Sequence, residues 1–241
     1  MKKTEKPNQN ILKVIIKFFF KIILVLFLLS VFSVILLKWI DPFTSSIMVQ
    51  RKLDAIFSDK KSSEIHYDWY DYDEISKYMT LAVVAAEDQN FPYHFGFDIE
   101  QIEKAIDQHS KGRRLRGAST ISQQVAKNLF LWEGKSFVRK VFEAYFTILI
   151  EAFWSKRRIL EVYLNIAETG NMIFGVGALS KIYFKKEPRK LFAGEAALVA
   201  ATLPNPKRYS VKNPSGYILM RRGWILSQMS SLGGTEYLQN L

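Results

Sequence analysis

The sequence predicts a mainly α-helical domain preceded by a single N-terminal transmembrane helix. Three observations carry this. An apolar, uncharged run lies close to the N-terminus, apolar residues recur at helical spacing in one segment after another from Asp73 onward, and no run of six or more residues alternates cleanly as a strand would. No internal repeat or low-complexity tract is present. At 241 residues the chain has room for one domain with a real core behind an anchor, and a second large catalytic domain does not fit. The expected organisation is a basic cytoplasmic tail over 1–17, a transmembrane anchor over 18–40, a connector over 41–72 with one short helix or strand, and a catalytic domain over 73–241.

The anchor is the stretch FFFKIILVLFLLSVFSVILLKWI. Its centre, Ile22 to Leu37, holds no charge and only two serines. Sixteen helical residues span about 24 Å, a little less than a hydrocarbon core of roughly 30 Å, and Lys21, Lys38 and Trp39 can reach the interface on either side. A cleaved signal would be shorter and end in small residues, whereas KWIDPF follows here. Six lysines against one acid in the first 21 residues put the N-terminus in the cytoplasm and the remainder outside. The expected location is a single-pass protein of the inner (cytoplasmic) membrane.

Of the chain's formal charge of +11, those 21 residues carry +5, which leaves +6 for the rest. Outside the cytoplasm a basic domain meets anionic headgroups or phosphate-bearing substrates, so no nucleic acid partner is expected and membrane lipids are. Cysteine is absent, which excludes disulfides, thiolate metal sites and cysteine nucleophiles.

From Asp73, Ile75, Met79, Ala82, Val83 and Ala86 form one helical face that must end before Pro92, with Glu87 and Asp88 at its C-terminal end. A carboxylate there opposes the helix dipole, an odd choice on structural grounds alone. Asp98 is expected to cap a second helix with Ile99, Ile102, Ala105 and Ile106 inward, closing near Gly112 before a flexible basic loop, KGRRLRG. Ser119 or Thr120 caps the next, with Ile121, Val125 and Leu129 on one stripe and Thr120, Gln124 and Lys127 on another.

Residues 136–154 read as a helix with Val138, Val141, Phe142, Tyr145, Phe146, Leu149 and Phe153 apolar and Arg139 paired to Glu143 at i and i+4. Ser155 starts a helix bearing Glu161 and Asn165. Gly170, Gly175 and Gly177 punctuate a loop before a short helix through Ile182 to Phe184. Glu195–Leu203 and Tyr217–Met229 complete the set.

Chemistry concentrates in two segments. EDQNFPYHFGFD, from Glu87 to Asp98, gathers acids and His94 around Pro92 and Gly96 just past a helix end. Taken alone it reads as surface acids and a satisfied histidine. GASTISQQVAKN, Gly117 to Asn128, offers backbone amides at a helix start together with Ser119, Thr120, Gln123, Gln124, Lys127 and Asn128, a setting that receives anionic oxygen well.

These two, followed in order by RKVFEA, KRRILEVYLN and GNMIFGVGALSKIYFKK, resemble the five motifs of glycosyltransferase family 51. The resemblance runs from about Tyr72 to Asn213 and takes in EAALVAATLPNP. It implies a lysozyme-like, two-lobed glycosyltransferase domain with a larger lobe and a smaller, apolar, membrane-touching one. It also implies a monofunctional peptidoglycan transglycosylase that joins the disaccharide-pentapeptide of lipid II to a lipid-linked glycan chain, inverting the anomeric carbon and releasing undecaprenyl pyrophosphate.

The residues suit that chemistry. A sugar hydroxyl needs a carboxylate to take its proton, and Glu87 matches the family's base. A pyrophosphate leaving group needs cations and amides more than an acid, and Lys127, Arg139 and Lys140 match the phosphate-binding positions, with Thr120, Gln124 and Asn128 beside them. Glu143, the second family acid, could orient Arg139, assist departure or hold a divalent cation such as Mg2+ or Mn2+, although no cofactor is required by the sequence. Asp88 and His94 shape the site. Glu161 and Asn165 hold helices together, and Lys156, Arg157 and Arg158 form a solvated face or meet headgroups. Departures from the family pattern are Ala118, Ser122 and Ile173-Phe174, none of which removes a charged group.

Two rivals stand beside this reading. A peptidoglycan-cleaving muramidase or lytic enzyme would use a lone Glu but has little use for a basic cluster at a phosphate. A non-enzymatic anchor that binds anionic lipid, or cell-wall synthesis and division proteins, gives no reason for the ordered acids. Ser58 to Lys61 is the sole SxxK-like match and no KTG or KSG follows, so no transpeptidase activity is expected.

Overall fold

The computed structural model describes residues 9–58, 64–112 and 119–241, and the chain divides at Ile40/Asp41 into two compact units. The KGRRLRG loop from Arg113 onward, Gly117 and Ala118 of the second motif, and Lys60 and Lys61 lie outside the described residues. The first unit is built on helix α1, Gln9–Leu36, whose Lys13–Leu36 stretch has a mean hydropathy of 2.8 and is long and apolar enough to cross a membrane.

The second unit is mainly α, as the apolar spacing requires. Its helices are α2 (Ser46–Phe57), α3 (Lys77–Glu87), α4 (Ile99–Ser110), α5 (Ile121–Phe130), α6 (Phe137–Phe153), α7 (Lys156–Ile166), α8 (Gly175–Leu179), α9 (Ala193–Thr202) and α10 (Gly216–Ser231). Three short strands, β1 (His66–Tyr67), β2 (Glu168–Gly170) and β3 (Ile173–Phe174), form a small sheet in the order β1-β3-β2. The pairing of β1 with β3 is parallel and that of β2 with β3 antiparallel.

Two helical clusters position the site. In one, α3 packs against α9 and α10; in the other, α5 packs against α6, α7 and α2. Met79 to Ala85 are all buried, so α3 is enclosed on every side. Shifting or turning it would expose several side chains at about 1.5–3 kcal/mol for each large one. That fixes where its last residue, Glu87, points.

The side-chain caps follow the sequence. Ser76, Thr120, Ser136 and Ser155 accept from the first-turn amides of α3, α5, α6 and α7, and Thr120 with Gln123 completes a capping box. The stretch expected as a connector holds a twelve-residue helix, α2, in which Ile47, Met48, Arg51 and Ala55 are buried. Arg51 is stapled to Glu133 and Glu168, and Gln50 donates to the Leu131 carbonyl at 3.0 Å.

One amphipathic expectation is corrected. Ile99 and Ile106 of α4 are 61% and 62% exposed, and of the four residues expected inward only Ala105 is buried, because α4 has few neighbours to bury a full stripe. In α6 the buried residues are Glu143, Thr147, Ile150 and Glu151, while Phe137, Val138, Val141, Phe142 and Ile148 are exposed. The polar side of α6 faces inward because cations and hydroxyls of the domain meet it there, and its apolar side faces out. The glycine loop also proves more regular than expected, since Gly170 ends β2 and Gly175 opens α8, followed by a wide π-type turn over Ser180–Phe184.

Asn165 and Glu161 tie α7 to the segment ahead of α3. The Asn165 amide accepts from Tyr70 N at 2.9 Å and donates to Tyr70 O at 2.8 Å, and Glu161 accepts from Tyr72 N at 2.7 Å. Asn165→Ala leaves both Tyr70 backbone groups unpaired in a half-buried place, so its expected cost is roughly 1–3 kcal/mol of unfolding free energy, read by denaturant titration. Gly177 is equally constrained, because a Cβ there would stand 2.4 Å from the Asp68 carbonyl oxygen.

Candidate active site

Glu87 is the last residue of α3, where the helix carbonyls make an anion unwelcome. Its side chain is 14% exposed, enclosed yet reachable. Burial pushes its carboxyl above the ordinary carboxylate range, while the Gln124 hydrogen bond, Arg221 and Lys127 pull the other way and the neighbouring Asp88 adds to the rise. Gln124 Nε2 donates to Glu87 Oε2 at 3.0 Å, and Gln124 Oε1 accepts from the buried Tyr163 hydroxyl at 3.3 Å. This chain turns the amide toward Glu87 and leaves the other carboxylate oxygen, Oε1, to face Arg221 Nη2 at 3.9 Å.

Asp88 is buried and fully occupied. His94 Nε2 meets both of its oxygens at 3.0 and 3.1 Å, and the Ile121 amide donates to Oδ2 at 3.0 Å. It therefore fastens the end of α3 to the start of α5. Thr120 Oγ1 donates to the Gly96 carbonyl at 2.6 Å, and Thr120 N donates to Gln123 Oε1 at 3.0 Å. Thr120 and Gln123 spend their polar groups on the fold, Asn128 is buried, and Ser119 is exposed at the helix entrance. Gly96 sits at φ +80°, and a Cβ there would stand 2.6 Å from Thr147 Cγ2. Beneath lies a buried polar group in which Ser122 and Lys156 both donate to Glu151.

The cations form a second cluster. Glu143 is 3% exposed and accepts from Arg139 Nη1 at 2.8 Å and from Lys140 Nζ. Arg139 Nε also donates to the Gly134 carbonyl at 2.7 Å, which fixes the guanidinium. Lys127 has no hydrogen bond or ion pair among the described residues, and burial lowers its ammonium from the ordinary lysine value against the pull of Glu143, Glu133 and Glu87. Lys127, Lys135 and Arg139 line a cleft of about 620 Å³, floored by Ile47 and Leu131. Glu87 lines a different one, of about 360 Å³, with Gln89, Gln101, Trp224 and Gln228.

A divalent cation does not fit the side chains as they stand. Both Glu143 oxygens already face cations, and among the described residues no three His, Asp or Glu converge. No chemical step below runs through a metal.

The structure thus brings Glu87, Gln124 and Lys127 together along α5, and Arg139, Lys140 and Glu143 around the first half of α6. Sequence reasoning missed Tyr163, Arg221 and Ser122. Tyr163 lies within KRRILEVYLN, so its presence in a motif was the available signal; Arg221 had none.

The chain matches the family model described as transglycosylase over residues 54–230. It is similar to a biosynthetic peptidoglycan transglycosylase of Xylella fastidiosa, 50% identical over 217 residues that cover 90% of this chain and 89% of that one. A protein of the same name from Cronobacter sakazakii is 56% identical over 197 residues, 82% of this chain and 81% of that one. A third, from Xanthomonas axonopodis, is 50% identical over 210 residues, covering 87% and 85%.

Proposed function

The chain belongs to the transglycosylase family and is a peptidoglycan glycosyltransferase; on that premise we propose that it polymerises lipid II into β-1,4-linked glycan strands. The observation that supports this best is a reachable carboxylate with a raised proton affinity, Glu87, and a separate cluster of three cations in which Arg139 and Lys140 share the single acid Glu143 and Lys127 has no ion pair among the described residues. In the proposed step the acceptor hydroxyl gives its proton to Glu87 as its oxygen attacks the anomeric carbon from the face opposite the pyrophosphate. The bond from that carbon to the phosphate oxygen breaks, the electron pair leaves with undecaprenyl pyrophosphate, and the anomeric centre inverts.

Lys127, Arg139 and Lys140 meet the charge that grows on the leaving group, and Glu143 holds the latter two in place. We further propose an inner-membrane location with the N-terminus cytoplasmic and the catalytic unit outside. The outward Phe137, Val138, Val141 and Phe142 of α6 would enter the headgroup region where the lipid-linked substrates reside. Other cell-wall synthesis or division proteins are proposed as partners. No transpeptidase activity accompanies the reaction, and labelled β-lactam is expected to leave the protein unacylated on a gel.

Incubating the purified protein with labelled lipid II tests this reading. A polymer that muramidase digests to disaccharide units is expected. Failure to form polymer, or cleavage of preformed glycan, would overturn it.

A further inference from the structure

Helix α10 lies near the end of the chain, beyond every motif that carries the resemblance, yet it forms one wall of the cleft that Glu87 lines. Arg221, Trp224 and Gln228 recur there at i, i+3 and i+7, so they share one face. Each shows an unspent binding group. Arg221 Nη2 stands 3.9 Å from Glu87 Oε1, and its Nε is buried with no hydrogen-bond partner among the described residues. A buried donor without an acceptor destabilises the fold, a cost that a bound ligand would remove.

Trp224 is 46% exposed in the cleft it lines, with the Arg221 guanidinium 5.9 Å over one face of the ring and apolar surface left open. Gln228 Oε1 accepts from Gln89 Nε2 at 3.0 Å, which leaves the Gln228 amide hydrogens and the Gln89 carbonyl oxygen unassigned. Gln89 is itself held by its bond to the Ala85 carbonyl at 3.0 Å and by the Tyr237 hydroxyl, which donates to the Gln89 backbone carbonyl at 2.5 Å.

An open indole ring beside paired primary amides and a guanidinium is the chemistry that recognises a hexosamine. The ring takes the apolar C–H face of the sugar, and the amides take its hydroxyl and acetamido groups. A cleft of about 360 Å³ falls in the range of small-ligand sites, roughly 300–1,000 Å³. The cationic cleft differs, since Lys127, Lys135 and Arg139 line it beside Glu133 and Trp132 and no carboxamide does. A base must touch the attacking hydroxyl and cations must touch the leaving phosphate. The cleft that contains the base is therefore the one that receives the attacking sugar.

We propose that the face of α10 carrying Arg221, Trp224 and Gln228 recognises the acceptor sugar and selects which hexosamine presents its hydroxyl to Glu87. This rests on the polymerase reading above. Trp224 and Gln228 set affinity for the sugar, while Arg221 supplies a donor to it and keeps Glu87 turned into the cleft.

The test uses the full chain in detergent and takes lipid II as the acceptor and the lipid-linked glycan chain as the donor, with initial rates measured against lipid II concentration at saturating glycan chain, for wild type, Trp224→Ala, Gln228→Ala and Glu87→Gln. Trp224→Ala and Gln228→Ala are each expected to raise KM for lipid II about tenfold or more with kcat changed less than threefold, as loss of ground-state binding requires. In a second measurement, a soluble β-1,4-linked disaccharide of N-acetylated hexosamines is expected to quench intrinsic fluorescence of wild type and of Glu87→Gln, but not of Trp224→Phe. Unchanged KM in both α10 variants, together with quenching that survives in Trp224→Phe, overturns the proposal while an inactive Glu87→Gln leaves the polymerase reading in place. A wild-type protein that makes no polymer overturns both. Should Trp224→Ala fail to melt cooperatively, Gln228→Ala and Trp224→Phe decide the matter on the same terms.

Discussion

Polymerisation by Glu87→Gln is expected to fall about 10²–10⁴-fold, the usual contribution of a general base, with the melting temperature equal to that of the wild type or higher. The substitution keeps the shape of the side chain and its contact with Gln124, and removes only the ability to accept a proton. The sign of the stability effect follows from the direction of the shift. Burial raises the folded-state proton affinity of Glu87 above its unfolded one, so the fold is favoured while Glu87 is protonated. That advantage is lost as pH rises through the raised value, and above it the ionised group is a burden that glutamine removes. The same shift predicts that wild-type activity declines on the acid side at a pH above the ordinary carboxylate range. A pH profile of kcat/KM and a calorimetric scan measure both; near-normal turnover by Glu87→Gln removes the residue from its role.

The second large effect is expected at Lys127. Lys127→Met should lower kcat by about 10²–10³-fold, comparable to removing one preorganised donor from a developing anion. Its stability should again hold or rise, because Lys127 is a desolvated ammonium without a partner among the described residues. Arg139→Ala differs in kind, since it would leave Glu143 buried with only Lys140 and should lower the melting temperature as well as the rate. A Lys127→Met protein with full kcat would contradict the assignment of this cluster to the leaving group.

Local signals in the chain were read well and inverted ones poorly. Caps at Thr120 and Ser155, the helix ending at Glu87 and the pairing of Arg139 with Glu143 all depend on residues within a turn of one another, and the structure has them. Helix α2 was obscured because an arginine stands at i+4 of its buried face. Arg51 is held there at hydrogen-bonding distance by Glu133 and Glu168, which are far away in sequence, while the local Asp54 stands 3.9 Å off. The exposed isoleucines of α4 and the outward phenylalanines of α6 carry the right period but the wrong polarity, since periodicity tells that a stripe exists and not what it faces. The site was legible where its residues fall inside motifs. Tyr163 and Arg221 reach it from 39 and 134 positions away, from Gln124 and from Glu87 respectively, and no local pattern announces such contacts.

The staple at Arg51 also orders events in time. On the proposed topology α2 emerges from the translocation channel directly after the anchor, but Glu133 and Glu168 trail Arg51 by 82 and 117 residues. Until both acids have crossed, the guanidinium has only the exposed Asp54 of its own helix, 3.9 Å away, to face, and α2 must stay wet. The part of the domain nearest the anchor is therefore among the last to set, and most of the catalytic unit has to be exported before its first helix can close onto it.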